Sequence, residues 1–382
     1  MSSLKNKVII VVLLLVLTAC QGVQVLPVAQ AQPTAPSKQA ELAPTVMEQP
    51  GVVPTFPATA TAPPPTALPP SVPLPTATAV PTKNAAALQQ VGQVSFDNPA
   101  RLVWSPDGST LAVMSNTQLQ LLDGKTLVIK GSAAFKAPIV LLDVSADGRS
   151  MASTSDQATV ELRNVTDGKT RLSLKPDAPF SSLAFSPDGK TLALTSVDEI
   201  AATLWQVDSG KQVAKLSGFQ SAAPVYDVSF TPNGKSLVWH ARALVQLMDI
   251  ASQKLGPAFE HEDFVSALSV SSDGSLLATS AGGTVDGNFI PLVNVWDTAS
   301  GKALAKLKPA DVCTALNFSP GSHLLAGGSG NQVILWDADI QQQTAVLQGH
   351  TDRVDAIAFS PDGKLLATAA ADNTVRIWQL KP

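Results

Sequence analysis

Cysteine, histidine and tyrosine are scarce in this chain, and each scarcity excludes something. Of 382 residues only Cys20 and Cys313 are cysteines, too few for a disulfide framework or a cysteine-ligated zinc site. The four histidines, His240, His261, His323 and His350, stand far apart with no HExxH-type pair. There is a single Tyr, and charged residues make up only 15% of the chain. With 26 Lys and Arg against 30 Asp and Glu, the net charge is −4, without the basic excess of a nucleic-acid-binding domain. No GxxxxGK[ST] or GxGxxG phosphate loop and no GxSxG nucleophile elbow occurs. The Gly-rich segment 282–288 lacks the acidic spacing of an EF-hand loop, which leaves at most a loose Ca²⁺ site there. The sequence therefore predicts no catalytic residue, no cofactor and no metal centre.

Proline is plentiful and unevenly placed: 15 of 29 fall between Pro27 and Pro81. From Pro27 to Thr82, 35 of 56 residues are Pro, Thr or Ala, and only Lys38, Glu41 and Glu48 are charged. Such a composition cannot bury enough apolar surface to offset ordering, so a disordered, polyproline-rich linker is expected over 20–84. Upstream, Lys5 and Lys7 precede an apolar run, Val8 to Leu17, about half the length needed to span a bilayer. The pattern of charged head, short apolar core and Leu17-Thr18-Ala19-Cys20 is that of an export signal over 1–19. It resembles a bacterial lipoprotein signal. That resemblance implies cleavage before Cys20, lipidation of its thiol, and a chain held at an extracytoplasmic membrane surface without a transmembrane helix.

Internal repetition decides the remainder, 85–382. The tetrad Ser-Pro-Asp-Gly begins at Ser105, Ser186 and Ser360, with looser copies at Ser145, Thr231, Ser271 and Ser319. The spacings are 40, 41, 45, 40, 48 and 41 residues. Pro presets φ, Asp accepts from nearby amides and Gly takes positive φ, so each tetrad is a tight turn. Apolar runs flank every turn, a third run ends at Trp205, Trp296, Trp336 or Trp378, and a fourth follows a second turn. Four short strands per period of about 42 residues predict an all-β chain of propeller blades.

These motifs resemble the WD-repeat family of β-propellers. The fold implied is a seven-bladed propeller of four-stranded antiparallel blades. The last repeat is the most complete, with Gly349-His350, Asp372 and Trp378. By the resemblance, His350, Thr368, Asp372 and Trp378 form a structural hydrogen-bonded tetrad, and His261 and Trp296 belong to a second copy. The first two repeats carry Leu122-Asp123 and Arg163-Asn164 where Trp-Asp is expected, so apolar packing is predicted to hold them. The last repeat, built around Ser360, has only three strands and lacks its outer one, while Leu88–Phe96 is a surplus apolar run. A strand at about 88–95 is therefore expected to pair with about 374–379 and close the last blade, removing exposed edges.

The predicted function is protein–protein interaction or scaffolding through a rigid annular face, with an unknown protein partner and a monomeric propeller. Residues flanking the start of each inner strand are expected to point toward that face. Among these, Tyr226, Phe264, Arg353 and Asp355, with Phe289 on the 281–291 insertion, are the candidate partner-binding residues, aromatics and Arg being common interface anchors. Ser181, Ser266 and Thr314 occupy equivalent positions. Cys313 aligns with Val354 and is expected to be buried. The alternatives are an extracytoplasmic propeller enzyme or a carbohydrate- or cell-wall-binding protein; a ring with little charge and few aromatics favours neither.

Overall fold

The computed structural model describes residues 88–135, 137–196, 200–219, 225–285, 288–339 and 341–380. The expected signal, Cys20 and the linker over 20–84 lie outside the described residues. Seven four-stranded antiparallel sheets form a seven-bladed β-propeller. Blades 1 to 6 span 101–134, 141–174, 180–217, 227–260, 265–307 and 313–347, each with its strands in chain order. Blade 7 takes three strands from 354–380 and its outermost strand from Leu88–Ser95.

The seven repeated tetrads are the turns between first and second strands. At Ser105 the hydroxyl donates to Asp107 Oδ1 (2.6 Å), which also accepts the Ser109 amide (3.0 Å), and Ser105 Oγ accepts the Thr110 amide (2.9 Å). Gly108 sits at φ +67°, and the equivalent glycines 148, 189, 234, 274 and 363 lie between +67° and +77°; in the sixth copy, which ends in Ser322, Gly321 one residue earlier takes φ +69°. That left-handed conformation is why Gly ends six of the seven tetrads. The sixth copy has no Asp; there His323 reaches Asp273 of the neighbouring turn (3.3 Å) and Asp339 (2.6 Å).

The core is divided among the seams between blades. Seven buried apolar clusters are described, one at each junction around the ring. Middle strands are covered on both faces, as in Leu192–Leu194, Leu325–Ala326 and Leu366–Ala367, which blurs the alternation of a half-exposed strand.

Polar bonds run across the seams as well. Asp143 of blade 2 is buried, pairs with Arg101 of blade 1, and accepts the Phe185 amide of blade 3 (2.8 Å). At matching positions Ser269 accepts the Phe318 amide (3.1 Å) and Asn317 the Phe359 amide (3.1 Å). From blade 1, Trp104 Nε1 donates to the Ala358 carbonyl of blade 7 (3.1 Å).

Closure occurs at the expected place. Leu88 pairs with Leu380, Val94 with Val375 and Ser95 with Thr374, interrupted by one bulge between Gln90 and Gly92. Phe96, just beyond, is buried at the seam between blades 7 and 1, and its amide donates to the Asn373 carbonyl (3.0 Å). Deleting 85–96 exposes the edge of the last blade and takes Val94 and Phe96 out of that seam, so the melting temperature followed by circular dichroism is expected to fall by several degrees. Val94→Asp, which introduces a charge at the same seam, is expected to move it in the same direction. An unchanged melt in both variants contradicts the role of this strand.

Candidate interaction face

The expected tetrad of blade 7 is assembled as a chain of donors. Trp378 Nε1 donates to Thr368 Oγ1 (2.9 Å), and Thr368 Oγ1 lies 2.8 Å from His350 Nε2. Asp372, ionised, only accepts, so the proton of the neutral His350 ring sits on Nδ1 and Nε2 accepts from the Thr368 hydroxyl, whose oxygen receives the indole N–H. His350 Nδ1–H is then the donor to Asp372 Oδ2 (3.0 Å). Burial resists ionisation of Asp372, but the Thr374 hydroxyl, the Thr351 amide and the His350 ring outweigh it and lower its pKa to about 2. Burial in turn holds the His350 pKa below its usual value, against the pull of Asp372.

Blade 5 repeats the design with a substitution. Trp296 Nε1 donates to Thr279 Oγ1 (2.9 Å), which lies 2.7 Å from His261 Nε2, and His261 Nδ1 meets the Ala243 carbonyl of blade 4 (3.2 Å). A main-chain oxygen of the preceding blade takes the place of the Asp. In blade 6, Gly327 stands where Thr368 does, and the Trp336 ring fills the space a side chain there needs. Blade 2 departs from the sequence reading. Arg163 does more than pack: its guanidinium pairs with Glu161, donates to the Gly168 carbonyl (3.1 Å) and lies 6.0 Å from the Phe135 ring centroid.

These networks end in structure, whereas the exposed aromatics stand beside them at the same end of the blades, around the start of the inner strands. Val225 and Val265 are fully buried, and the alternation of an extended chain turns their neighbours Tyr226 and Phe264 outward. The two side chains remain 46% and 42% exposed. Their ring centroids are 5.6 Å apart with planes at 71°, an edge-to-face contact across the seam between blades 4 and 5. His240 lies beneath, its ring 6.5 Å from Tyr226 and 6.1 Å from Phe264. It is buried, its Nδ1 has no hydrogen-bond partner among the described residues, and desolvation keeps its pKa low despite the nearby Asp227.

Other expected face residues are distributed differently. Phe289 is exposed on the long hairpin of blade 5 and covers Gly282; the Glu262 carboxylate holds that hairpin through the Thr284 amide (2.8 Å). Arg353 and Asp355 belong to blade 7, away from the aromatic pair, and bond to each other (2.6 Å). One expectation is corrected for Ser181, Ser266 and Thr314. Their hydroxyls donate to the carbonyls of Val225, Cys313 and Val354 in the next blade, so these positions join blades and do not form a presenting surface. Gly282 to Val285 pair with Asn288 to Pro291 in a hairpin, and Asp286 and Gly287 lie outside the described residues. No group of His, Cys, Asp or Glu suited to a metal ion occurs among the described residues. Cys313 is fully buried, and burial together with Asp311 raises its pKa to about 12, far from a reactive thiolate.

Comparison with known proteins agrees with this geometry. Residues 254–287, 301–337 and 341–379 match the WD domain, G-beta repeat. The chain is 32% identical over 187 residues to an Arabidopsis thaliana protein described as cell division cycle 20.6, cofactor of APC complex; the match covers 48% of this chain and 39% of that protein. It is 33% identical over 126 residues to the Arabidopsis protein FIZZY-RELATED 3, covering 32% of this chain and 25% of the relative. The chain thus spans less than half the length of each of these relatives.

Three predictions follow from the polar networks. Thr368→Ala strands both the Trp378 indole and the His350 ring and is expected to cost about 2–3 kcal/mol, with Thr368→Ser recovering most of it in denaturant melts. Asp143→Ala removes a bond to a charged group and an amide partner on two other blades and is expected to cost a similar amount, about 2–3 kcal/mol. For pH, the buried His240, His261 and His350 have folded pKa values below the unfolded value of 6.5. Below about pH 6.5 the unfolded chain binds more protons, so stability falls as pH drops through that value. His323 has the opposite sign: the carboxylates of Asp339 and Asp273 outweigh desolvation and raise its pKa, so its contribution is present at low pH and lost as pH rises. Melts between pH 7.5 and 5 should therefore be steeper for His323→Gln and shallower for His350→Gln.

Proposed function

We propose that the chain is a membrane-tethered protein-interaction module, without enzymatic activity, whose propeller recognises a protein partner through the face at blades 4 and 5. The observation that carries this reading is the pair of large aromatics, Tyr226 and Phe264, left half exposed on a rigid ring. Exposed aromatics held in a fixed geometry lose little entropy on binding and commonly anchor interfaces. The description of one relative as a cofactor of a complex supports an associative role for this propeller too. The tether rests on sequence: an export signal over 1–19, the thiol at Cys20, and the proline-rich linker over 20–84. A lipidated Cys20 would hold the propeller at an extracytoplasmic membrane surface.

Each half of the proposal has its own test. Cys20→Ser is expected to abolish metabolic palmitate labelling and release the protein from membranes; retained labelling removes the anchor. Tyr226→Ala and Phe264→Ala are expected to weaken partner capture about tenfold or more, the scale of a central interface aromatic. Lys190→Ala, on the turn face opposite, should leave capture unchanged. Thermal melts on the same samples separate binding from folding: a loss of capture no larger than the loss of stability assigns both rings to the core.

A further inference from the structure

The chemistry around the two rings specifies what kind of side chain they receive, provided the face proposed above is the interaction face. Glu260, Glu262 and Asp263 are exposed at this junction, and Asp227, exposed beside Tyr226, turns its carboxylate toward Ser182 of blade 3 and adds to the same negative field. Three of them are fixed by neutral donors. Asp227 accepts from Ser182 Oγ and the Val228 amide, Glu262 from the Thr284 amide, and Asp263 from the Phe264 amide. None of the four forms an ion pair with Lys or Arg among the described residues. The basic residues between Val225 and Ala281 are Lys235, Arg242 and Lys254. Lys235 and Lys254 lie in turns at the other end of blade 4, which leaves Arg242 against four carboxylates.

The aromatic pair adds direction to this negative field. With planes at 71° and centroids 5.6 Å apart, the rings form two walls of an open corner whose π faces attract a cation. An apolar stem with a charged end fits such a corner, since the stem covers ring surface while the head reaches the carboxylates. Beneath the corner, His240 is neutral near pH 7 and carries a buried nitrogen without a partner, so it neither repels a cation nor competes for the carboxylates. We infer that the corner formed by Tyr226 and Phe264 seats an arginine or lysine side chain of a protein partner, held by the two rings and by Glu262 and Asp263, in a negative field to which Asp227 adds.

The test uses the full-length chain and four immobilised octapeptide libraries, randomised except for a central Arg, Lys, Leu or Glu. The Arg and Lys libraries are expected to retain the chain about tenfold better than the Leu and Glu libraries, equivalent to about 1.4 kcal/mol. That preference should shrink at high salt, where exposed charges are screened. It should also be lost in the triple variant Asp227→Asn, Glu262→Gln, Asp263→Asn, whose amide oxygens keep the local hydrogen bonds and whose melt reports folding. Equal retention by all four libraries, or preference for Leu or Glu, overturns the inference and leaves protein recognition standing. Retention by none overturns it as well, and the capture assay with the aromatic variants decides the wider reading separately.

Discussion

The pairing of Leu88–Ser95 with Thr374–Leu380 is the contact on which the ring depends. Each blade is a small twisted sheet that cannot bury both of its faces alone, and its stability comes from the two seams it shares with its neighbours. A linear row of such sheets leaves an uncovered face at either end. Here the chain's first described strand completes its last blade, and Phe96 and Trp104 then carry it into the seam with blade 1. The seam between first and last blades thereby becomes equivalent to the others, and the loops at blades 4 and 5 are held on a frame with no free end.

Much of this was legible because its signals are local. A Ser-Pro-Asp-Gly turn is encoded in four consecutive residues, and seven of them at near-constant spacing allow few arrangements other than a closed repeat. The His350, Thr368, Asp372 and Trp378 network was readable through the resemblance to WD repeats, which could be carried over because all four residues belong to one repeat. What escaped were contacts between repeats. Asp143 joins Arg101 and Phe185, each 42 residues away, and nothing in its own blade announces that. The Ala243 carbonyl that supports His261 is a main-chain group with no signature in sequence. Ser181, Ser266 and Thr314 were placed on the correct strand ends, but a small hydroxyl next to a neighbouring carbonyl bonds across the seam before it can meet a partner.

That last distinction explains why the face is uneven around the ring. The position after the first buried residue of the inner strand is filled differently from blade to blade. A hydroxyl there ties its blade to the next; Tyr226 reaches over the seam and stacks on Phe264. The first choice spends the position on cohesion and the second leaves it open to solvent. Blade 7 follows a third course, with Arg353 and Asp355 neutralising each other. Exposed apolar surface and unpaired negative charge thus coincide at one seam, although the backbone repeats sevenfold.

The closing strand also has a mechanical consequence. It is the first strand of the described fold, so any pull on the chain from upstream of Leu88 reaches it before any other part of the propeller. The load enters at the end of the ladder where Leu88 meets Leu380; held against the Leu380 end, its hydrogen bonds are loaded one after another, as in a zipper, and not all at once. The other six blades have all four strands connected in sequence and stay shielded while that strand holds. The strand that seals the ring is thus also the first to carry a load that arrives along the chain from upstream.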